Sequence, residues 1–174
     1  MKLRKINILA AIAFGAIVLF TACSKDDGPI PKRIKIEDVP AVTTNTETGG
    51  TTGTITFTNQ AAFEGKFKVA LYFANALPPT KVDVVIRKNG SAANVKLFQA
   101  GITSFPTSFT VTATQIKTIF GDTLKLNDTY DFAPDIYVGD IKYEAFPAVG
   151  LSSGQGISGM NTIGFGEFVR YSVK

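Results

Sequence analysis

The chain has 174 residues with a single cysteine, no histidine and no tryptophan. Without histidine the commonest general base and the commonest transition-metal ligand are missing, and one cysteine excludes an internal disulfide. The formal charge of +4 does not point to nucleic acid: Lys2, Arg4 and Lys5 cluster at the N-terminus, the remaining 15 basic residues face 14 acids, and no basic stripe interleaves with aromatics.

In chain order, the first element belongs to no fold. Ile6–Phe20 is apolar apart from Asn7, a run of secretory-signal length and shorter than the ~20 residues a spanning helix needs. A retained single-pass anchor is the alternative. The run ends in Leu19-Phe20-Thr21-Ala22-Cys23, which resembles the lipobox of bacterial lipoproteins, with Phe20 where that family usually has leucine. The resemblance implies a signal peptide over residues 1–22, removed before Cys23, and a diacylglycerol group on the Cys23 thiol. Acyl chains stabilise binding by ~0.8 kcal/mol per buried methylene, so one chain holds marginally and two or three hold stably. A free thiol in an oxidising compartment is the other reading of Cys23. Ser24-Lys25-Asp26-Asp27 resembles the export signal of Bacteroidota surface lipoproteins, which implies an outer-membrane protein facing the cell exterior. A solvated linker carries similar charges.

Residues 23–53 read as the lipidated cysteine followed by a flexible polar tether. Gly28, Pro29 and Pro31 disfavour regular structure, 33–39 ("RIKIEDV") alternates charged and aliphatic residues as an edge strand would, and 41–53 ("AVTTNTETGGTTG") has no apolar period and reads as loop or linker.

From residue 54 to 174 strand signals recur. "TITFTN" puts Ile55 and Phe57 on one face, and "KFKVALYFA" does the same for Phe67, Val69, Leu71 and Phe73. "KVDVVIR" points Val82, Val84 and Ile86 inward and Asp83 and Arg87 outward. Asn89-Gly90 supplies a turn, loosened by the following Ser-Ala-Ala, and "NVKLFQA" returns. "FPTSFTVT" places Phe109 and Val111 on the core. Residues 114–120 give the one helical turn, with Thr114 as cap, Ile116, Ile119 and Phe120 as its apolar stripe and Gly121 as its stop. "DTYDFAPDIYV", "IKYEAF" and "GEFVRYSV" complete the set. Short strands with turn signals every 10–12 residues predict an all-β antiparallel sandwich. The order strand, hairpin, strand, then "SFTVTATQIKTIFG" and "GDTLKLNDTYDF", resembles the immunoglobulin-like domains of Bacteroidota surface lipoproteins, among them accessory proteins of polysaccharide utilisation. The resemblance implies sugar binding through exposed aromatics.

The candidate chemistry is sparse. Asp128, Asp131 and Asp135 lie in an acid-rich stretch with the oxygen donors calcium prefers, although their spacing fits no EF-hand and solvated turn and edge residues are the favoured reading. Tyr137, Tyr143 and Tyr72 are candidate stacking platforms for a pyranose, set against half-buried rim tyrosines. "GLSSGQGISGMNTIGFG" (150–166) is glycine-rich but follows no strand–helix unit, so a loop is expected rather than a phosphate cradle. Asp122-Thr123-Leu124 resembles the O-glycosylation pattern of Bacteroidota exported proteins. The expectation is a non-enzymatic, lipid-anchored surface protein without nucleic-acid partners or a required cofactor. It would bind a polysaccharide or an outer-membrane protein of a nutrient-uptake complex. The alternative is a structural or adhesive subunit that assembles with other chains.

Overall fold

The computed structural model describes residues 39–148 and 166–174. The chain divides into Met1–Glu37 and Asp38–Lys174, and the described residues belong to the second unit. Cys23, Ser24–Asp27, residues 33–38 of the candidate edge strand and residues 149–165 lie outside them.

The domain is an all-β sandwich of two sheets. The smaller sheet has the order β1 (Val42–Thr46), β3 (Glu64–Leu71), β6 (Thr107–Thr112). The larger runs β2 (Thr52–Ile55), β9 (Val169–Val173), β7 (Thr129–Val138), β4 (Lys81–Lys88), β5 (Val95–Ile102), and the short β8 (Ile141–Tyr143) also pairs with β7. All pairings are antiparallel except β2 with β9. Taken in chain order with β8 set aside, β3, β4, β5, β6, β7 and β9 fall one in the smaller sheet, two in the larger, one in the smaller and two in the larger, as strands of an immunoglobulin-like sandwich do. The helix α1 (Ala113–Phe120) bridges β6 to β7 across the sheets.

The period-2 pattern explains the main core. Val82, Val84 and Ile86 of β4 and Tyr130 and Phe132 of β7 are fully buried, and they face Phe67, Val69 and Val111 of the smaller sheet. Ile116 of α1 closes one end. The Phe67 ring lies 5.0 Å from Phe132, 5.4 Å from Phe109 and 5.9 Å from Phe98, so one residue ties both sheets together. Asn89 and Gly90 both adopt positive φ, as a tight β4–β5 turn requires, and the 3-10 turn Ala92–Asn94 lengthens the hairpin as expected.

Four local expectations are corrected. Residues 41–53 are not all linker, because β1 lies inside that stretch and β2 begins there. Apart from Val42 its buried side chains are Thr43, Thr44 and Thr46, so a strand built mostly from β-branched polar residues carried no apolar period. Phe57 does not share a face with Ile55: the β2–β9 ladder stops at Ile55, and Phe57 opens a 3-10 segment, Phe57–Ala62, with its ring exposed. Phe73 lies beyond the end of β3 and is exposed. Thr112, not Thr114, caps α1: its hydroxyl accepts from the Gln115 N–H while the Gln115 side chain accepts from the Thr112 N–H, a reciprocal box that starts the helix two residues earlier. Gly121 ends it at φ 71°.

Candidate functional site

The acids expected at turns and edges are instead buried, and each is held by protein groups. Asp83 and Arg87 point away from the main core as expected, yet both are buried: a second small core (Val85, Ala133, Phe146, Phe168) covers Arg87, while Asp83 accepts from Lys81 Nζ and the Gly101 N–H. Beneath it Asp131, fully buried, accepts from Arg170 (Nε 2.6 Å, Nη2 3.0 Å) and from Arg87 (Nη2 2.9 Å, Nε 3.2 Å). The Arg87 guanidinium also lies 4.0 Å from the centre of the Phe146 ring. Asp135 pairs with Lys142 at 2.8 Å and accepts the Ala145 N–H, and the bond to Asp135 pushes the Lys142 ammonium well above its ordinary range.

Asp128 sits at the opposite end of β7. It accepts from Asn89 Nδ2 (2.9 Å), the Lys125 N–H (2.9 Å) and the Tyr130 hydroxyl (3.1 Å), with Lys88 Nζ at 3.4 Å. The three aspartates therefore do not converge on one point, and among the described residues no group of three acidic or sulfur ligands is placed to hold a metal ion. The calcium expectation is corrected for this reason: the oxygens that a hard cation would need are spent on separate ion pairs and N–H groups.

Burial by itself would raise the Asp128 carboxyl, but Asn89, the Lys125 N–H and Lys88 outweigh it and hold the group below its ordinary value. A carboxyl whose folded pKa is depressed contributes stability above its unfolded pKa and loses it as pH falls through the folded value. Denaturant midpoints measured from about pH 6 down to about pH 3 should therefore fall less steeply for Asp128→Asn than for the parent. Equal slopes would show that this carboxylate has no part in acid unfolding.

The three candidate tyrosines form no common platform. Tyr137 lies on the outer face of β7 beneath Lys81, whose Nζ is 4.0 Å from the ring centre. Tyr143 on β8 is paired in register with Ile136, the neighbour of Tyr137 that faces the opposite side of the sheet. Tyr72 follows β3 and packs edge-on against Phe73 at 4.8 Å.

A different place has the shape of a binding site, and no sequence motif marked it. Between β2, the 3-10 segment and the first residues of β3 runs an open groove of about 430 Å³. Its floor is aromatic: Tyr171 and Phe63 meet edge-to-face at 5.2 Å, and the Tyr171 hydroxyl donates to the Lys66 carbonyl. Burial and, secondarily, Glu47 push that phenol up to about 12. Two glycines make room for the ring. A Cβ on Gly53 would stand 2.6 Å from Tyr171, and one on Gly65 would stand 2.7 Å from Tyr171 and from Phe63. The walls are hydroxyls and an amide from Thr46, Thr54, Thr56 and Asn59, with Glu64 and Lys66 at the rim. Such a lining donates and accepts hydrogen bonds without a dominant charge, and its size falls in the range of small-molecule sites. The only sequence signal was indirect, in the two glycines at strand positions, which mark close approach of other atoms.

No protein-family model, curated protein or solved structure matches this chain. Among the described residues no helix is long and apolar enough to cross a membrane.

Proposed function

We propose that the protein is a lipid-anchored, non-catalytic binding protein of the outer cell surface, and that it takes a glycan in the groove between β2 and β3, alone or as an accessory of a nutrient-uptake complex. The observation that carries the ligand class is the groove's lining: neutral hydroxyl and amide groups above an aromatic floor suit a polyhydroxylated, uncharged molecule. Its placement rests on the Leu19–Cys23 and Ser24–Asp27 resemblances. The acyl anchor would fix the N-terminus and the polar stretch after it would hold the sandwich clear of the headgroups. Tyr72, Tyr137 and Tyr143 have no part in this version, since none lines the groove.

The test is binding of the full-length, detergent-solubilised protein to a polysaccharide panel. One polysaccharide class should bind, and Asn59→Ala with Lys66→Ala should weaken it at least tenfold, about 1.4 kcal/mol. Binding of the same strength in the double variant would remove the groove from the proposal, and a flat panel would remove the glycan.

A structural or adhesive subunit is the second reading. It is favoured by β5, eight residues long and, among the described residues, the terminal strand of its sheet, which leaves one row of backbone donors and acceptors without a strand partner there and Leu97 exposed. A flat panel with concentration-dependent self-association would select it.

A further inference from the structure

Seven large apolar side chains are exposed among the described residues, and four of them, Tyr72, Phe73, Leu77 and Ile141, gather at one pole of the sandwich. The connections there are explicit. The loop from Tyr72 to Thr80 joins β3 to β4, and the Gly139 N–H in the β7–β8 turn donates to Thr80 Oγ1 at 2.8 Å, which brings Ile141 beside the loop. The loop reads "YFANALPPT", with no charged residue, and Leu77 at its tip is 85% exposed.

Its borders are aromatic and charged. Tyr137 under Lys81 stands at the start of β4, and Lys142 follows Ile141. Lys81 pairs with Asp83, Lys142 pairs with Asp135 and with the exposed Glu144 at 3.2 Å, and Asp140 on the turn is a further acid. An apolar tip ringed by tyrosine and lysine is the composition of a water–bilayer boundary, where rings sit at headgroup depth and ammonium groups reach back to water.

What covers this surface follows from where the chain arrives. The Tyr72 N–H donates to the Ala41 carbonyl at 2.8 Å, so the N-terminal segment enters the sandwich at this same pole. Ser24–Asp38 is 15 residues, at most about 50 Å when extended, so an anchor at Cys23 keeps the pole close to the bilayer at high effective concentration.

We propose that this pole is a membrane-docking surface. The 72–80 loop inserts Phe73 and Leu77 into the interfacial layer of the bilayer that holds the N-terminus, and Tyr72, Tyr137, Lys81 and Lys142 sit at headgroup depth. Docking in this pose turns the other end of β3, with the groove, toward the medium. The proposal rests on the reading that the N-terminus is membrane-anchored.

The chain has no tryptophan, so Leu77→Trp introduces a sole tryptophan, excited apart from the tyrosines, at the tip and Leu126→Trp one at the opposite pole. Each full-length variant, extracted from cell membranes, is reconstituted into phosphatidylethanolamine–phosphatidylglycerol vesicles with brominated acyl chains. Leu77→Trp should shift to the blue and lose at least half its emission to bromine, while Leu126→Trp stays as in water. Equal, unquenched emission from both on vesicle-bound protein overturns the docking. A doubled mass in detergent that Phe73→Ser abolishes, with the tip unquenched, also overturns it and gives the patch to a second copy. The mass of the N-terminal peptide separately reports acylation of Cys23. Quenching on an unacylated chain keeps the docking and discards the lipoprotein reading, and failure to float with vesicles discards both.

Discussion

Asp131→Ala should destabilise the domain by about 3–5 kcal/mol, enough to leave it unfolded at ordinary temperatures if its stability lies in the usual range. The reason is what remains rather than what is lost. Arg87 is nearly inaccessible and has Asp131 as its hydrogen-bonded anion, while Arg170 makes two bonds to the same carboxylate. Removing the carboxylate leaves a buried guanidinium uncompensated in a place where Phe146 and Phe168 exclude water. Urea denaturation followed by circular dichroism measures the change. A triple variant, Arg87→Met, Asp131→Leu, Arg170→Met, removes both signs of charge and should recover most of the loss, because buried ion pairs can be replaced by apolar groups at little net cost. A loss under about 1 kcal/mol for Asp131→Ala would mean that water or another group reaches Arg87, and the outer core would then be open.

Phe67→Ala should cost about 3–5 kcal/mol through lost burial and the cavity left behind. Phe67 is fully buried and its ring meets Phe98, Phe109 and Phe132, which come from both sheets, so no single strand can shift to refill the hole. Phe73→Ala, at a ring 62% exposed, should change stability by no more than about 0.5 kcal/mol in the same measurement. Comparable losses from the two would contradict the assignment of Phe67 to the seam between the sheets.

Where hydrophobic residues alternate with polar ones, the strand and its buried face were legible in advance: Val82, Val84 and Ile86 on β4, Phe67 and Val69 on β3, Val111 on β6. The helix at 113–120 was legible too, from its apolar spacing and the glycine after it. The β1 strand was not, because threonines make three of its four buried side chains. The fates of Arg87 and Asp131 were also hidden. Alternation says which face a side chain takes, but not whether that face is later covered, and here Phe146 and Phe168 cover it from distant stretches of chain. The groove was illegible for a related reason. Gly53, Gly65 and Tyr171 are separated along the sequence and acquire their common meaning only when β2 runs beside β9 and β3 crosses in front of the ring.

By itself the sequence determined what nearest neighbours along the chain can settle: an apolar run ending at one cysteine, a β pattern of period 2, a short helix closed by a glycine, and the lack of histidine that narrows catalysis. The tertiary structure alone decided which carboxylates pair with which cations, where an aromatic ring is left at the bottom of a polar groove, and which exposed apolar residues share a pole. Periodicity is a local property of the backbone, whereas ion pairs, grooves and surface patches join residues whose separation in sequence bears no relation to their separation in space.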